Sequence, residues 1–223
     1  MSGTVIVATG NAHKLIEIRE ILDDTGLEFI SMNEAGVDTE IIENGENFEE
    51  NAVIKARTVA AASGQMALAD DSGLVIDALN GEPGIHSARY MGRDTSYETK
   101  NNAIIDLVND YCRQREPEGS AYPDRPGSLP DGTPGTMRSA RFVCAVAAAW
   151  PDGTVKTAVG VMEGRIGYEI AGENGFGYDP IFFLPEYGRT SAEIAPDAKN
   201  AISHRGKAFR KMRDLLAFTE VSV

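Results

Sequence analysis

The stretch 67–76 places two adjacent aspartates inside an apolar run, and this constrains the fold more than any other part of the chain. It begins Ala-Leu-Ala, continues with Asp70, Asp71, Ser72 and Gly73, and returns at once to Leu-Val-Ile. Successive side chains of a strand point to opposite faces, so only one aspartate can face a given cleft, and the other must satisfy its charge elsewhere. Asp, Ser and Gly also favour turns, so a turn between two strands and a metal or catalytic site are both open interpretations.

Short apolar runs alternate with amphipathic helical patterns along the rest of the chain. Apolar residues at three- and four-residue spacing predict helices, and short apolar runs bounded by turn residues predict strands. We predict strands at residues 5–9, 27–30, 141–150, 154–163 and 180–184 and on each side of the Ser72-Gly73 turn, and helices after Asn11, Asn47 and Ser203 and over residues 95–113. The sequence Pro151-Asp152-Gly153 predicts a hairpin. Strands separated by helices, with one antiparallel hairpin, indicate an α/β fold in which helices flank a mixed β-sheet.

The ends of these helices carry recognisable capping residues. Asn47, with Glu50 three positions later, has the pattern of a capping box. Gly26 and Gly64 stand where the first two helices are expected to end. In the final helix the spacing of the apolar residues places Leu215 on the inward face.

Charge and composition exclude several classes of protein. The 223 residues carry a net charge of −13, which argues against a nucleic-acid-binding surface, although a local basic cluster with a divalent cation could still hold a small polyanion. The start of the chain shows no signal-peptide pattern, and the longest apolar run, residues 142–150, is far shorter than the ~20 residues that span a bilayer. We therefore expect a reduced, cytoplasmic protein with no membrane partner. Residues 116–136 are rich in Pro, Gly, Ser and Asp and predict a flexible excursion within a single domain of residues 1–223.

Three further segments could carry chemistry. The first strand leads through Thr9-Gly-Asn-Ala-His-Lys14 into a helix, and a glycine turn at a helix N-terminus offers N–H groups and the helix dipole to an anion. Residues 175–180 place two aromatics among glycines, which suits either a base-stacking surface or core aromatics at a bend. Lys199 precedes a Ser-capped helix whose first turn carries His204 and Arg205, an unfavourable place for cations unless they face an anionic or acceptor-rich ligand.

The acidic residues Glu43, Asp70 and Asp71 form a possible cation site. Carboxylate oxygens suit Mg²⁺, which takes one or two protein carboxylates and completes its octahedron with water and substrate phosphates. Glu43 lies in an acidic stretch that could equally be a solvated loop.

These motifs occur together, in this order, in one family. The chain resembles the inosine triphosphate pyrophosphatases, the house-cleaning dITP/XTP pyrophosphatases, from about residue 5 to the last helix. The motifs that carry the resemblance are Thr9-Gly-Asn-Ala-His-Lys14, Phe48-Glu-Glu-Asn-Ala52 with Lys55-Ala-Arg57, Ala69-Asp-Asp-Ser-Gly73, Pro83-Gly-Ile-His-Ser-Ala-Arg-Tyr90, Phe176-Gly-Tyr-Asp-Pro180 and Ser203-His-Arg205. The sequence departs from the family pattern at residues 116–136, which are longer than expected there.

The resemblance implies two lobes around a nucleotide-binding cleft and a homodimer. It further implies Mg²⁺-dependent hydrolysis of non-standard purine nucleoside triphosphates (ITP, dITP, XTP) to the monophosphate and pyrophosphate. A hydrolase for another nucleotide, or one releasing orthophosphate, is the alternative within enzymes, and a non-catalytic nucleotide-binding protein is the alternative outside them.

The resemblance also assigns roles to residues. Glu43 and Asp71 match the Mg²⁺ ligands, and Asp71 also matches the general base; Asp70 stays a rival as proton acceptor, because coordination lowers a carboxylate's basicity. The substrate-binding positions are Thr9, Gly10, Asn11, Ala12, His13, Lys14, Lys55, Ser72, Phe176, Gly177, Tyr178, Asp179, Lys199, His204 and Arg205. Phe176 would stack on the purine, and Arg205 or His204 would donate to O6 or N7 of a 6-keto purine. Adenine presents an amino donor at position 6, which would leave a donor facing a donor.

Overall fold

The structure is a computed structural model that describes residues 4–115 and 136–217. The flexible excursion expected at residues 116–136 lies outside these ranges, except for Thr136, which begins a short 3-10 turn, Thr136–Arg138. None of the helices within the two described ranges combines the length and the apolar character that crossing a bilayer requires.

One mixed β-sheet organises the chain. Its seven strands are β1 (Thr4–Val7), β2 (Glu28–Ser31), β3 (Ala67–Ile76), β4 (Ser139–Ala149), β5 (Val155–Ile166), β6 (Phe182–Leu184) and β7 (Arg189–Thr190), in the order β2-β1-β3-β4-β5-β6-β7. Strand β1 pairs in parallel with β2 and β3, whereas β5–β6 and β6–β7 are antiparallel. The predicted α/β class with a mixed sheet is confirmed.

Five α-helices accompany the strands in the described residues: α1 (Ala12–Ile21), α2 (Phe48–Ser63), α3 (Tyr97–Arg113), α4 (Pro196–Ile202) and α5 (His204–Ala217). Asn11 caps α1 as predicted, because its side chain accepts from the backbone N–H of His13 and Lys14. The predicted cap of α2 also forms, since Asn47 accepts from the N–H of Glu50 at 2.9 Å. The Glu50 carboxylate accepts a hydrogen bond from the N–H of Glu46 at 2.8 Å. In a capping box the donor would be the N–H of the cap residue itself, Asn47, one residue later.

Three local predictions are wrong. Residues Ser72 and Gly73 do not turn, because β3 runs unbroken from Ala67 to Ile76 and its polar side chains find partners on both faces of the sheet. Helix α1 ends at Ile21, and Gly26 closes a separate 3-10 turn, Asp23–Thr25, instead. Leu215 is 39% exposed, since α5 packs through Ala208, Phe209 and Met212.

The contacts divide the chain into two compact units. Unit 1 comprises Met1–Ser72, Val143–Met162 and Asn200–Val223. Unit 2 comprises Gly73–Phe142 and Glu163–Lys199. Strands β3, β4 and β5 and helix α4 each contribute residues to both units, so the chain passes between the units four times. The single domain expected from the sequence stays a prediction.

The two faces of the sheet in unit 1 are covered by different helices. One face buries α1 and α5 in a cluster whose strand residues include Val5, Val7 and Leu68. The other face buries α2 in a cluster that includes Ile6, Ala67 and Ala69. This alternation follows the two-residue period of a strand, so Asp70 continues the face of Leu68 and Asp71 continues the face of Ala69.

Unit 2 packs α3 and the later strands around apolar and arginine contacts. The rings of Phe142 and Phe182 lie 4.4 Å apart between centroids. The buried Arg138 guanidinium donates to the carbonyl oxygens of Ile166 and Gly167 at 2.7 and 2.6 Å. These bonds satisfy a buried charge with the backbone at the end of β5.

Candidate functional site

The turn between β1 and α1 has the form expected of an anion-binding loop. Thr9 is buried two residues after β1 ends, and its Oγ1 accepts from the N–H of Asn11 at 3.1 Å. Gly10 and the three residues after it are exposed. The Asn11 cap occupies the N–H groups of His13 and Lys14, at 3.0 and 3.3 Å. An incoming anion would therefore meet the exposed turn and the Lys14 ammonium.

Asp70 lies on the face of the sheet covered by α1 and α5, where it is surrounded by donors. Its Oδ2 is 2.9 Å from Lys14 Nζ and 3.4 Å from an Arg205 nitrogen, and it accepts from the Ser72 hydroxyl at 3.1 Å. Burial opposes ionisation of this carboxyl, but the charges of Lys14 and Arg205 outweigh burial and hold the pKa of Asp70 well below its ordinary value. Asp70 is thus a buried, permanently charged counter-ion.

Arg205, in the first turn of α5, joins this cluster from the other side. Its guanidinium is buried, pairs with Glu17 of α1 and donates to Ser72 Oγ at 2.9 Å. Although burial disfavours the charged form, Asp70 and Glu17 keep the pKa of Arg205 above its ordinary value. His204, the residue before it, is also buried. The helix dipole disfavours a cation at the N-terminus of α5, but the carboxylates of Asp70 and Glu17 stabilise the charge of Arg205 there.

Asp71 lies on the opposite face, next to α2. Its Oδ1 is 2.7 Å from Lys55 Nζ, and its Oδ2 accepts a long bond of 3.5 Å from the Asn51 amide. Lys55 Nζ also lies 3.4 Å from Glu43 Oε1. Burial raises the pKa of Asp71 despite the neighbouring ammonium. The pKa of Lys55 is raised too, because the attraction of Asp71 and the other carboxylates exceeds the cost of burial.

The Glu43 and Asp71 pair has the donor chemistry that Mg²⁺ requires. Two carboxylates already converge on one positive group, the Lys55 ammonium, so their oxygens lie within reach of a single cation. Across residues 4–115 and 136–217, no three acidic, His or Cys side chains gather into a complete metal cage. Two carboxylates suffice for a Mg²⁺ whose other positions are filled by water and substrate phosphates.

The two aspartates therefore occupy different environments. Asp70 contacts Lys14, Arg205 and Ser72, whereas Asp71 contacts the Lys55 that Glu43 also contacts. The side chain of Asp71 is 10% exposed and that of Asp70 is 1% exposed. Asp71 is thus the more accessible of the two carboxylates, and Asp70 is the one that pairs with both Lys14 and Arg205.

In unit 2, Asp179 organises the glycine-rich loop before β6. Its Oδ2 accepts from the backbone N–H of Phe176 at 2.9 Å and pairs with Lys199 Nζ at 2.7 Å, while Oδ1 accepts from Ser191 at 2.7 Å. Lys199 also lies 5.6 Å from the centroid of the half-buried Phe176 ring. Gly175 has φ +76, and an added Cβ there would stand 2.2 Å from the Asp179 carboxylate, so only glycine permits this closure.

Tyr178 supports the same loop from its interior. The ring is 4% exposed, packs edge-on against Tyr97 with centroids 5.3 Å apart, and donates its hydroxyl to the Ser87 carbonyl at 2.8 Å. Burial raises the pKa of Tyr178, so the phenol keeps its proton. Phe176 is therefore the more accessible of the two rings, and its stacking role stays a prediction.

The predicted site residues thus fall into two groups. The group in unit 1 is Thr9 to Lys14, Glu43, Lys55, Asp71, Ser72, His204 and Arg205. The group in unit 2 is Phe176, Gly177, Tyr178, Asp179 and Lys199. Lys199 contacts Asp179 and Phe176 of the aromatic loop.

Sequence reasoning missed Glu17 and Asn51. Glu17 follows Lys14 by three residues on α1, so the two side chains share a helix face. Asn51 is fully buried four residues before Lys55, and its Oδ1 accepts from the N–H of Gly45 at 2.9 Å, which fixes the loop after Glu43. The sequence did contain a signal for Asn51, because Asn51 and Lys55 are polar residues at i and i+4 on the buried face of α2.

The fold and this arrangement define a class: an α/β protein in which two adjacent aspartates of one strand pair with Lys14, Lys55 and Arg205 from three different helices. A sequence model of the Ham1 family matches residues 5–122 and 128–215. The chain therefore belongs to the Ham1 family.

Named relatives and solved structures agree with this membership. A dITP/XTP pyrophosphatase of Desulforamulus reducens is 42% identical over 95% of this chain and 94% of its own length. One from Clostridium perfringens is 41% identical over 95% of this chain and 96% of its own. The HAM1 protein from Coxiella burnetii superimposes with a TM-score of 0.78 at 37% identity, covering 97% of this chain and 99% of that one. The structure of a nucleoside-triphosphatase / dITP/XTP pyrophosphatase from Mycobacterium abscessus superimposes with a TM-score of 0.69 at 36% identity. The match covers 96% of this chain and 98% of that one.

Proposed function

We propose that the chain hydrolyses non-standard purine nucleoside triphosphates, such as dITP and XTP, to the monophosphate and pyrophosphate. The observation that carries this proposal is the pair of buried aspartates on opposite faces of β3, each bound to a lysine from a different helix. This places two ammonium groups and a carboxylate pair at one short stretch of strand, which suits a triphosphate. The dITP/XTP pyrophosphatases at about 40% identity over 95% of the chain support the same activity.

The chain's own residues can perform the polar parts of this reaction. Lys14, Lys55 and the exposed turn after Thr9 would bind phosphate oxygens and neutralise their charge. Water adds across the anhydride between the α and β phosphates, and Asp71 accepts the proton that the water loses. If water attacks the α phosphorus, its bond to the bridging oxygen breaks and pyrophosphate leaves; if water attacks the β phosphorus, the monophosphate leaves and the water oxygen becomes part of pyrophosphate. In either case the lysines stabilise the charge on the leaving oxygen.

We further propose Mg²⁺ as the cofactor, held by Glu43 and Asp71. When bound, the ion would neutralise charge on the phosphates and orient the attacking water. Asn51 contributes by holding the loop after Glu43 through the N–H of Gly45. Excess chelator should remove activity and added Mg²⁺ should restore it, whereas undiminished hydrolysis in chelator would remove the metal from the proposal.

The base would be recognised by Phe176, through its ring face, and by donors from the first turn of α5. Arg205 lies in that turn, where it is buried and donates to Ser72. Such a donor complements the O6 or N7 acceptor of a 6-keto purine and opposes the amino group of adenine. This supports discrimination between ITP and ATP.

The decisive experiment incubates the protein with a panel of nucleotides and assays pyrophosphate and orthophosphate separately. We expect pyrophosphate from ITP, dITP and XTP and little turnover of ATP or GTP. Release of orthophosphate, or preference for a pyrimidine, would overturn the proposal in favour of a different hydrolase. If the protein binds nucleotide but hydrolyses none of it under single-turnover conditions, it is a non-catalytic nucleotide-binding protein.

A homodimer and a cytoplasmic location are proposed with the activity. The support for the dimer is the resemblance of the sequence, and the support for the location is its composition. Light scattering at several protein concentrations tests the first, and fractionation of cells tests the second.

A further inference from the structure

Helix α3 carries two adjacent polar side chains that are almost completely buried, and the proposed chemistry uses neither. Lys100 is 1% exposed and Asn101 is 2% exposed. Burying a lysine and an asparagine side by side is expensive unless each meets a specific partner. Both residues belong to unit 2, the unit that also contains the aromatic loop.

Both side chains reach backbone carbonyls of motif segments. Lys100 Nζ donates to the Ala88 carbonyl at 3.1 Å, in the 3-10 segment Gly84–Arg89. Asn101 Nδ2 donates to the Gly177 carbonyl at 3.1 Å, between Phe176 and Tyr178. The first turns of α3 therefore hold two loops that lie far apart in sequence.

The bond to Gly177 determines how the Asn101 amide is oriented. A carbonyl oxygen can only accept, so the amide must present its nitrogen to Gly177. Its Oδ1 is consequently buried, with no hydrogen-bond partner within the ranges that the structure describes. Leaving an acceptor unsatisfied costs free energy, which offsets part of what the bond to Gly177 contributes to stability. The hydrogen bond to Gly177 therefore explains why an asparagine is buried at this position.

The loop needs such an anchor because its backbone is unusual at this point. Gly177 has φ +69, in the left-handed region, and an added Cβ would stand 3.5 Å from the Tyr97 ring. Asp179 fixes the loop on one side through the N–H of Phe176, and Asn101 fixes it on the other through the Gly177 carbonyl. Phe176 is held between these two bonds.

We infer that Asn101 is a positioning residue that sets nucleobase affinity by holding the Gly177 carbonyl and, through it, the ring of Phe176. The inference rests on the proposed function, since it assumes that Phe176 stacks on the base. Asn101 itself need not touch the substrate. Its effect should therefore fall on binding of the base and not on binding of the phosphates, which belong to residues of unit 1.

The test compares Asn101→Ala with Asn102→Ala, a matched control because Asn102 is the next residue of α3 and is exposed. For Asn101→Ala we expect the KM for ITP to rise roughly fivefold or more, because misplacing a binding group is costly. The inhibition constant of inorganic tripolyphosphate, a probe without a base, should change less than about twofold, as should kcat, because the phosphate-binding residues are untouched. Asn102→Ala should match the wild type in all three.

A second variant separates positioning from folding. Asn101→Leu keeps the branched shape and removes the unsatisfied Oδ1, so its melting temperature should stay within a few degrees of wild type while its KM for ITP rises. An unchanged KM in a folded variant, an equal loss for tripolyphosphate, or failure of both variants to fold would overturn the inference. If the wild-type protein does not hydrolyse ITP, the proposed function itself fails, and that outcome is visible before any variant is made.

Discussion

At the scale of single residues, the two neighbouring aspartates separate into two roles because a strand sends them to opposite faces. Asp71→Asn keeps the size of the side chain but removes the proton acceptor and a metal ligand. We expect turnover of ITP to fall by about 10²-fold or more, since a general base contributes that much. Pyrophosphate release measures the loss, and circular dichroism checks the fold. A near-normal rate would remove Asp71 from the chemistry.

Asp70→Asn should act through stability. Asp70 balances the partly buried charge of Lys14 and the buried charge of Arg205, and removing one member of such a group leaves the others uncompensated. We expect the free energy of unfolding to drop by about 3 kcal/mol or more. Urea unfolding measures it, with Asp77→Asn as the control, because Asp77 pairs with Arg141 at a half-exposed position. Equal stabilities of the two variants would contradict the counter-ion role.

Arg205 offers a residue-scale test of base selection. Arg205→Lys keeps a positive charge near Glu17 and Asp70 but loses the planar fork of N–H donors. We expect the ratio of kcat/KM for ITP over ATP to narrow by about tenfold, the value of one hydrogen bond. Arg213→Lys is the matched control on the same helix, because Arg213 pairs with Asp24 at the surface. An unchanged ratio in Arg205→Lys would place base reading elsewhere.

At the scale of elements, the position of α5 depends on a glycine of β5. A Cβ added to Gly160 would stand 2.1 Å from the His204 carbonyl and 2.5 Å from the Ala208 nitrogen, so the helix could not stay in place. Gly160→Ala should therefore destabilise the protein by about 1–3 kcal/mol, the usual cost of overpacking, and displace Arg205. A lower melting temperature should report the destabilisation, and a lower rate of ITP turnover should report the displacement of Arg205. Gly167→Ala, whose Cβ would meet only ordinary contacts at 3.5 Å, should be tolerated, and equal effects of the two would refute this packing argument.

The elements also show where sequence reasoning succeeds. The caps at Asn11 and Asn47 were predictable because capping is a local matter of one side chain and nearby N–H groups. The unbroken β3 was not predictable, because Ser72 and Gly73 favour turns locally and only partners distant in sequence, Lys14 and Arg205, hold Asp70 and Ser72 in the strand. The role of Asn101 was hidden for the same reason, since its partner Gly177 is 76 positions away.

At the scale of the whole molecule, the site residues lie in two compact units that the chain visits alternately. The resemblance of the sequence could group these residues by function, but it could not show that Lys199 contacts Asp179 of unit 2 while Lys14 contacts Asp70 of unit 1. The net charge of −13 makes these local cations more important, since the rest of the surface offers a triphosphate little attraction.

This division predicts independent contributions to catalysis. Lys14 and Asn101 share no partner and belong to different units, so Lys14→Gln should weaken phosphate binding and Asn101→Ala should weaken base binding. Their effects on kcat/KM for ITP should then multiply, with a coupling free energy below about 0.5 kcal/mol. A double-mutant cycle with ITP measures this coupling, and a cycle of Lys14→Gln with Arg205→Lys, which share Asp70, is the control expected to couple more strongly. Strong coupling between Lys14 and Asn101 would mean that phosphate and base are not recognised separately, and the assignment of phosphate binding to Lys14 and of base positioning to Asn101 would be wrong.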